Sequence, residues 1–380
     1  MRTVAAVIAL GAIATLGWML STAGAAPPGA ETVMTGLDNP RGIVFGRGGG
    51  DDDDDDGGGS TLYVAEAGEG GTGPCVVIPP PPPRPPTCYG PTGAISQWRR
   101  GVQRRIVTGL PSHAPADGRE ATGPHDLSVR GGIFVTLGLA LNPALRPGFG
   151  PGGSDFGKLV RIRGNGWRAV ADLAAYEAAQ NPDGGPPDSN PYGLLRSGGA
   201  HYVAEAGGNA LLRVRNNGSI STVAVLPSRP QGRTTDSVPT VVVRGPDGKL
   251  YVGELTGFPF PPGAAQIYRI VNGTVQVWQT GFTMIVDMVF ARDRTLYVLE
   301  YSTGTPGQVP PGSVVRVEPS GARSTAVTGL EQPTSLAFGP DCKLYVTNRG
   351  ASRDVGEVLR FDVGESCRRG GGDDDGDDDD

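Results

Sequence analysis

The sequence predicts an all-β chain: a six-bladed β-propeller closed by an N-terminal strand in the last blade. Three observations predict it. An aromatic-valine phrase recurs six times, as TLYVAEAG (61–68), GIFVTLG (132–138), HYVAEAG (201–207), LYVGELTG (250–257), LYVLEYSTG (296–304) and LYVTNRG (344–350). Each copy sits in a unit of four short apolar runs. The sixth unit lacks one run, and the N-terminus carries a segment that resembles it. Self-similarity at periods of roughly 20–50 residues marks solenoids and propellers.

The first run of each unit is PRGIVFG (40–46), PHDLSV (124–129), PYGLL (191–195), PTVVV (239–243), VDMVF (286–290) or PTSLAF (333–338). A turn follows, as in RGPDGK (244–249), and then the aromatic phrase. Third runs are GAISQW (93–98), GKLVRI (157–162), NALLRV (209–214), AQIYRI (265–270), GSVVRV (312–317) and GEVLRF (356–361). Fourth runs are RRIVTGL (104–110), WRAVADL (167–173), ISTVAVL (220–226), VQVWQTG (275–281) and ARSTAVTGL (322–330). Each is short, β-branched or aromatic, and bounded by turn residues, which is the strand signal. Asn217-Gly218 and Asn272-Gly273 lie between third and fourth runs, where a tight hairpin takes residues that tolerate positive φ.

Four strands per unit and six units make a six-bladed ring. The anchors Tyr63, Phe134, Tyr202, Tyr251, Tyr297 and Tyr345 lie 71, 68, 49, 46 and 48 residues apart, so the first two units carry insertions. ETVMTGL (31–37) resembles RRIVTGL and supplies the missing outer strand of the last blade. The 62 Gly and 35 Pro then fall largely at turns instead of marking disorder. The domains are a signal peptide at 1–25, the propeller at 26–367 and a disordered acidic tail at 368–380. Arg2, the apolar Val4–Leu20 and the small-residue Ala23-Gly24-Ala25 are the secretory signal. No other run is long enough to span a bilayer, so the expectation is a secreted or periplasmic protein with no membrane span after cleavage.

Export permits disulfides. Four cysteines allow three pairings, and topology selects one. Cys75 and Cys88 flank the Pro-rich loop 67–92 of blade 1; Cys342 and Cys367 share one edge of blade 6. The expected bonds are Cys75–Cys88 and Cys342–Cys367. Of the formal charge of −6, thirteen acids belong to Asp51–Asp56, Asp373–Asp375 and Asp377–Asp380, which leaves the rest basic. Such tracts stay solvated. Scattered arginines and a signal peptide argue against nucleic acid.

Three residues after the aromatic anchors stand Glu66, Leu137, Glu205, Glu254, Glu300 and Asn348. The same end of the ring should carry Asp38, Asn39, Arg41, His125, Asp126, Asn190, Asp236 and Asp287. Oxygen ligands converging on an axis can hold a hard cation such as Ca²⁺, so Glu66, Glu205, Glu254 and Glu300 are the candidate metal ligands. The competing expectation is that each glutamate caps backbone or pairs with arginine, as inherited repeat residues do. Long connections at 67–92, 111–123, 139–156 and 178–190 gather at this end over blades 1–3 and would wall a depression. Of the histidines, His113 falls in a polar loop and His201 opens a strand. His125 with Asp126 is the weak catalytic candidate, since neighbours in an extended strand point to opposite sides.

TGLDNPRGIVFG (35–46), LYVAEAGEGG (62–71), TGAISQW (92–98), TGPHDLSV (122–129), YGLLRSGGAHYVAEAGGNALLRV (192–214) and GKLYVGELTG (248–257) together resemble the ScyD/ScyE family, exported propellers named for the scytonemin pigment cluster of cyanobacteria. The likeness covers roughly 31–363. It implies an exported propeller and carries over no catalytic residue. Two functional classes follow: a binding or scaffold protein for a small molecule or polymer, or an enzyme, a metal-dependent lactonase-like or quinoprotein-like propeller. The poor acid–base inventory favours the first.

Overall fold

The computed structural model describes residues 26–46, 60–78, 85–231, 233–304 and 311–364. The signal segment, the Asp51–Asp56 insert, residues 79–84, Cys367 and the acidic tail lie outside these. The described residues form six sheets around a ring, plus a separate two-stranded hairpin at Arg229–Gln231 and Arg233–Thr235. Blade 3 has the plain pattern: Pro191–Ser197, Ala200–Glu205, Ala210–Arg215 and Ile220–Val225 pair antiparallel in chain order. Blades 4 (239–282) and 5 (285–330) repeat it. In blade 6, Glu31–Leu37 pairs with Gly356–Phe361, so the N-terminal strand closes the ring as the missing run requires.

The repeated aromatics have a packing reason. Tyr251, Tyr297 and Tyr345 each meet, edge to face, the phenylalanine near the end of the next blade's first strand, at 5.3 Å to Phe290, 5.1 Å to Phe338 and 4.9 Å to Phe45. Edge-to-face contacts add to the gain from burial. The last of the three spans the closure. Between blades, the apolar residues form separate clusters, as with Leu159, Leu194 and Val203 between blades 2 and 3. This is why the strands are apolar on both faces.

First strands run inward from the loop end of the ring to its turn end. In blades 1 to 5 the register shifts within a few residues of the strand's start. A bulge of this kind re-aims side chains and leaves an N–H outside the ladder. The neighbouring blade answers. Asp126 accepts from Leu194 N–H at 2.6 Å and the Ser335 hydroxyl from Ile43 N–H at 3.2 Å; in blade 6, whose first strand has no such shift, Asp287 accepts from Leu336 N–H at 2.9 Å. In the same sense around the ring, Thr136 donates to Tyr192 O, Thr240 to Ile285 O and Thr334 to Pro40 O.

Blades 1 and 2 depart from expectation. The third and fourth strands of blade 1 are Thr87–Arg99 and Val102–Ala114, far longer than the runs at 93–98 and 104–110. The Pro-rich segment 67–92 is therefore partly sheet: Cys75–Val76 pairs with Thr87–Cys88. The chain packs tightly there, since a Cβ on Gly90 would lie 1.9 Å from Gly70 O. The segment 139–156 folds as two short 3-10 turns, Pro143–Phe149 and Pro151–Asp155. The fourth run of blade 2 stops at Asp172, which caps an unexpected helix, Leu173–Gln180, by accepting from Ala175 N–H at 2.9 Å. The sequence LAAYEAAQ after an Asp is a helix start that strand periodicity hid. Val76, Leu139, Leu141, Phe149, Phe156 and Ala174 then make a second small core above blades 1 and 2.

Candidate functional site

One repeat column, the residue after each strand-opening Pro or Ile, brings Arg41, His125, Tyr192, Thr240, Val286 and Thr334 to the inner strands. His125, Tyr192, Thr240, Val286 and Thr334 line an axial cavity together with Asp126 and Asp287 of the next column. His125 and Asp126 both reach it, contrary to the expectation from strand alternation, because the bulge between Pro124 and Asp126 breaks that alternation. The cavity volume is only ≈ 20 Å³, room for about one water molecule. Above it, Arg41 is buried and donates to Gly350 O at 2.6 Å and Ala121 O at 2.8 Å, tying the first blade to its neighbours. Tyr192 Oη and Asn190 Oδ1 are buried without a hydrogen-bond partner among the described residues. Tyr192, Thr240 and Thr334 escaped the sequence reading, although the repeat column could have found them.

Burial governs the chemistry of this cluster. It holds His125 neutral, with its pKa lowered to about 3, and the nearby Arg41 cation adds to that. The ring lies 4.6 Å from Tyr192, and Nδ1 is 3.1 Å from Pro191 O. Burial raises Asp126 to about 8, with Asp287 adding to the rise and two backbone N–H groups opposing it. Asp287 rises to about 6 for the same first cause. A neutral histidine and two carboxyls reluctant to ionise, around one water's volume, make a seal.

The four repeat glutamates are not brought together. Among the described residues, no three His, Cys, Asp or Glu side chains form a group that could hold a metal ion. Each glutamate is spent within its own blade. Glu66 accepts from Asp38 N–H, the Ser96 hydroxyl and Arg105. Glu205 accepts from Ser189, Asn190 N–H and Gly208 N–H. Glu254 accepts from Ser237, Gln266 N–H and Tyr268, and Glu300 from Thr283 N–H and Ser313. Asn348 fills the same place in blade 6, accepting from Glu331 N–H and donating to Glu357. The pattern is a loop clamp at the exit of the second strand in every blade but blade 2, where Leu137 stands, and it matches the capping alternative.

His113 is in the extended fourth strand of blade 1 and not in a loop. It is buried, stacks 4.7 Å from Phe149, and both ring nitrogens are engaged, with Thr87 Oγ1 at 2.8 Å and Leu139 O at 3.0 Å. Cys75 and Cys88 are bonded. Cys342 is half-buried, and its expected partner Cys367 lies outside the described residues. No described helix is long and apolar enough to cross a membrane.

Fold and axis define a class: a six-bladed propeller whose channel is closed by buried polar groups. A solved glucose dehydrogenase shares this fold at a TM-score of 0.51, with 13% identity over 88% of this chain and 99% of the other. A second glucose dehydrogenase gives 0.50 at 14% identity, covering 88% and 99%. Virginiamycin B lyase of Staphylococcus aureus gives 0.45 at 18% identity, covering 88% of each chain. At these identities the likeness is one of fold alone. No family model matches the chain, and no curated protein matches it.

Proposed function

We propose that this is an exported binding propeller of the ScyD/ScyE kind, which holds a small molecule or polymer on its loop end over blades 1–3. What supports this reading is the contrast between axis and loops. The axis has room for about one water. The connections above blades 1 and 2 are a packed, disulfide-pinned wall with a core of their own. A rigid, irregular rim on a closed ring suits recognition better than turnover. Export is part of the same proposal, and the disulfide agrees with it.

The test is calorimetric titration of the mature chain with lactones, aromatic pigments and neutral polysaccharides, with product analysis in the same samples. A ligand that binds without turnover, and at least roughly tenfold more weakly to Cys75→Ser/Cys88→Ser, supports the proposal. That variant should keep the six-bladed ring, because the bond closes a loop outside it. Turnover of any of these compounds, with or without added Ca²⁺, would favour the enzyme alternative.

A further inference from the structure

The arginines that look scattered in sequence collect at the turn end of blades 2–4. The segments 127–137, 158–171, 191–204 and 210–225, which make most of blades 2 and 3, contain no Asp or Glu. Strand alternation sorts their arginines into two neighbouring crevices. Leu159 and Leu194 face each other between blades 2 and 3, so Arg161, Arg163 and Arg196 open into that crevice. Leu211 and Val242 face each other between blades 3 and 4, so Arg213, Arg215 and Arg244 open into the next. None of the six is in an ion pair among the described residues. The ion pairs of blade 2, Lys158–Asp155 and Arg146–Asp172, lie at the loop end.

The first crevice is assembled with some care. Arg161 and Arg196 both lie over the ring of Phe134, with guanidinium carbons 5.2 and 4.9 Å from its centroid. Gly131 and Gly132, at φ of +74° and +113°, give them the space; a Cβ on Gly132 would be 3.0 Å from Arg161 Nη2. Arg161 also donates to Gly131 O, and Arg196 approaches His201. Burial first, and then the Arg196 cation, hold His201 neutral by lowering its pKa to about 4. Two like charges lie over one ring, and among the described residues no ion pair supplies either with a counter-charge. Arg244 reaches across to the Ser197 hydroxyl at 2.8 Å and so links this crevice to the next.

We propose that the turn end of blades 2–4 binds a linear acidic polysaccharide, whose sulfate or carboxylate groups are held by Arg161, Arg163 and Arg196 in one crevice and Arg213, Arg215 and Arg244 in the next. Guanidinium forks match planar and tetrahedral oxyanions, and charges in successive crevices match a chain with repeated charge. A nucleic acid would also supply oxyanions, but unpaired bases need aromatic platforms. The large apolar side chains exposed among the described residues include one aromatic, Phe258, in the second-to-third-strand loop of blade 4 at the opposite end.

The whole mature chain is the fair subject, because the described residues nearest the two acidic tracts in sequence, Gly46, Thr61 and Phe361, lie at this same end. Fluorescence anisotropy at low ionic strength would use labelled heparin fragments, labelled polygalacturonate fragments and a single-stranded DNA of equal charge. Binding that weakens with salt and falls at least roughly tenfold in Arg163→Ser/Arg215→Ser is expected, since each charge-assisted contact is worth that order. Both residues are exposed, so the fold should tolerate the change. Arg119→Ser/Arg353→Ser, exposed at the loop end, should leave binding unaltered. Failure of both polysaccharides to bind, equal loss in the two double variants, or tighter binding of the DNA would each overturn the proposal.

Discussion

The two ends of the ring treat charge in opposite ways. At the loop end, Glu66, Glu205, Glu254 and Glu300 each close their own blade by accepting hydrogen bonds from backbone and side-chain donors. At the turn end of blades 2–4, six arginines make no ion pair among the described residues. The repeat reproduces the glutamate in blades 1, 3, 4 and 5, where it holds the loop at the exit of the second strand, and blade 6 has Asn348 in its place. It does not reproduce the arginine surplus: in blade 4 Arg244 has no ion pair among the described residues while Arg269 pairs with Asp247, and in blade 5 Arg316 pairs with Glu318. A residue inherited in each copy is thus first a part of the fold. A charge gathered across three neighbouring blades and unpaired among the described residues is the better sign of a partner.

The largest effect should come from breaking a clamp. Glu254→Ala would remove the acceptor of the Ser237 and Tyr268 hydroxyls and of Gln266 N–H in a site where Glu254 itself is fully buried. Unsatisfied buried donors cost about 1–3 kcal/mol each when no water reaches them, and networks lose more than single bonds. A loss of about 3 kcal/mol is expected, read as a lower urea midpoint at unchanged slope. An unshifted midpoint would mean that the loop-end carboxylates are not structural, and the contrast between the ends would fail.

A smaller effect concerns the axis. Asp126 and Asp287 have folded-state pKa values of about 8 and about 6, well above those of the unfolded chain. Groups raised on folding bind more protons in the native state, so their stabilisation is complete below about pH 4 and is lost as pH rises through the folded values. His113, His125 and His201 have folded values of about 4, about 3 and about 4. They act in the opposite sense, and their contribution grows as pH rises toward about 6.5. Between about pH 6.5 and 8 the carboxyls act without the histidines, and Tm should decline. Asp126→Asn should make that decline shallower while lowering stability at pH 6 by about 1 kcal/mol, because an amide offers one acceptor to two N–H groups. Scanning calorimetry across this range checks both parts.

What the sequence made legible follows from periodicity. The ring, its closure by Glu31–Leu37 and the Cys75–Cys88 bond were readable because a repeat fixes where each strand lies, and with it which ends meet. The local departures were not. The long strands Thr87–Arg99 and Val102–Ala114 look like loop in sequence because Gly and Pro interrupt them. Helix Leu173–Gln180 continues a strand-like run without a break. The bulge that turns His125 and Asp126 to one cavity has no residue signature, since it comes from pairing with the next strand and blade. The glutamates were found, but convergence on an axis could not be told from repetition around it. The arginine surface was missed because alternation and blade neighbours, not spacing along the chain, bring those residues together.

The smallest effect is the one that separates the two ends most cleanly. Arg163 is exposed at the turn end of blade 2 and makes no ion pair among the described residues. Its removal deletes no buried contact and relieves some repulsion from Arg161, so Arg163→Ala should change stability by less than about 0.5 kcal/mol, with a slight gain as easily as a loss. The gain should be larger at low ionic strength, where like charges within about 10 Å are poorly screened. Arg105 at the loop end is the matched control. It too is partly exposed, yet it reaches the buried Glu66 carboxylate at 2.7 Å and Asp38 at 2.8 Å. Its loss leaves a buried carboxylate without its cation, so Arg105→Ala should lower the urea midpoint at any ionic strength. Equal losses from the two substitutions would show that the turn-end arginines are part of the fold, and the surface would no longer need a partner to explain it.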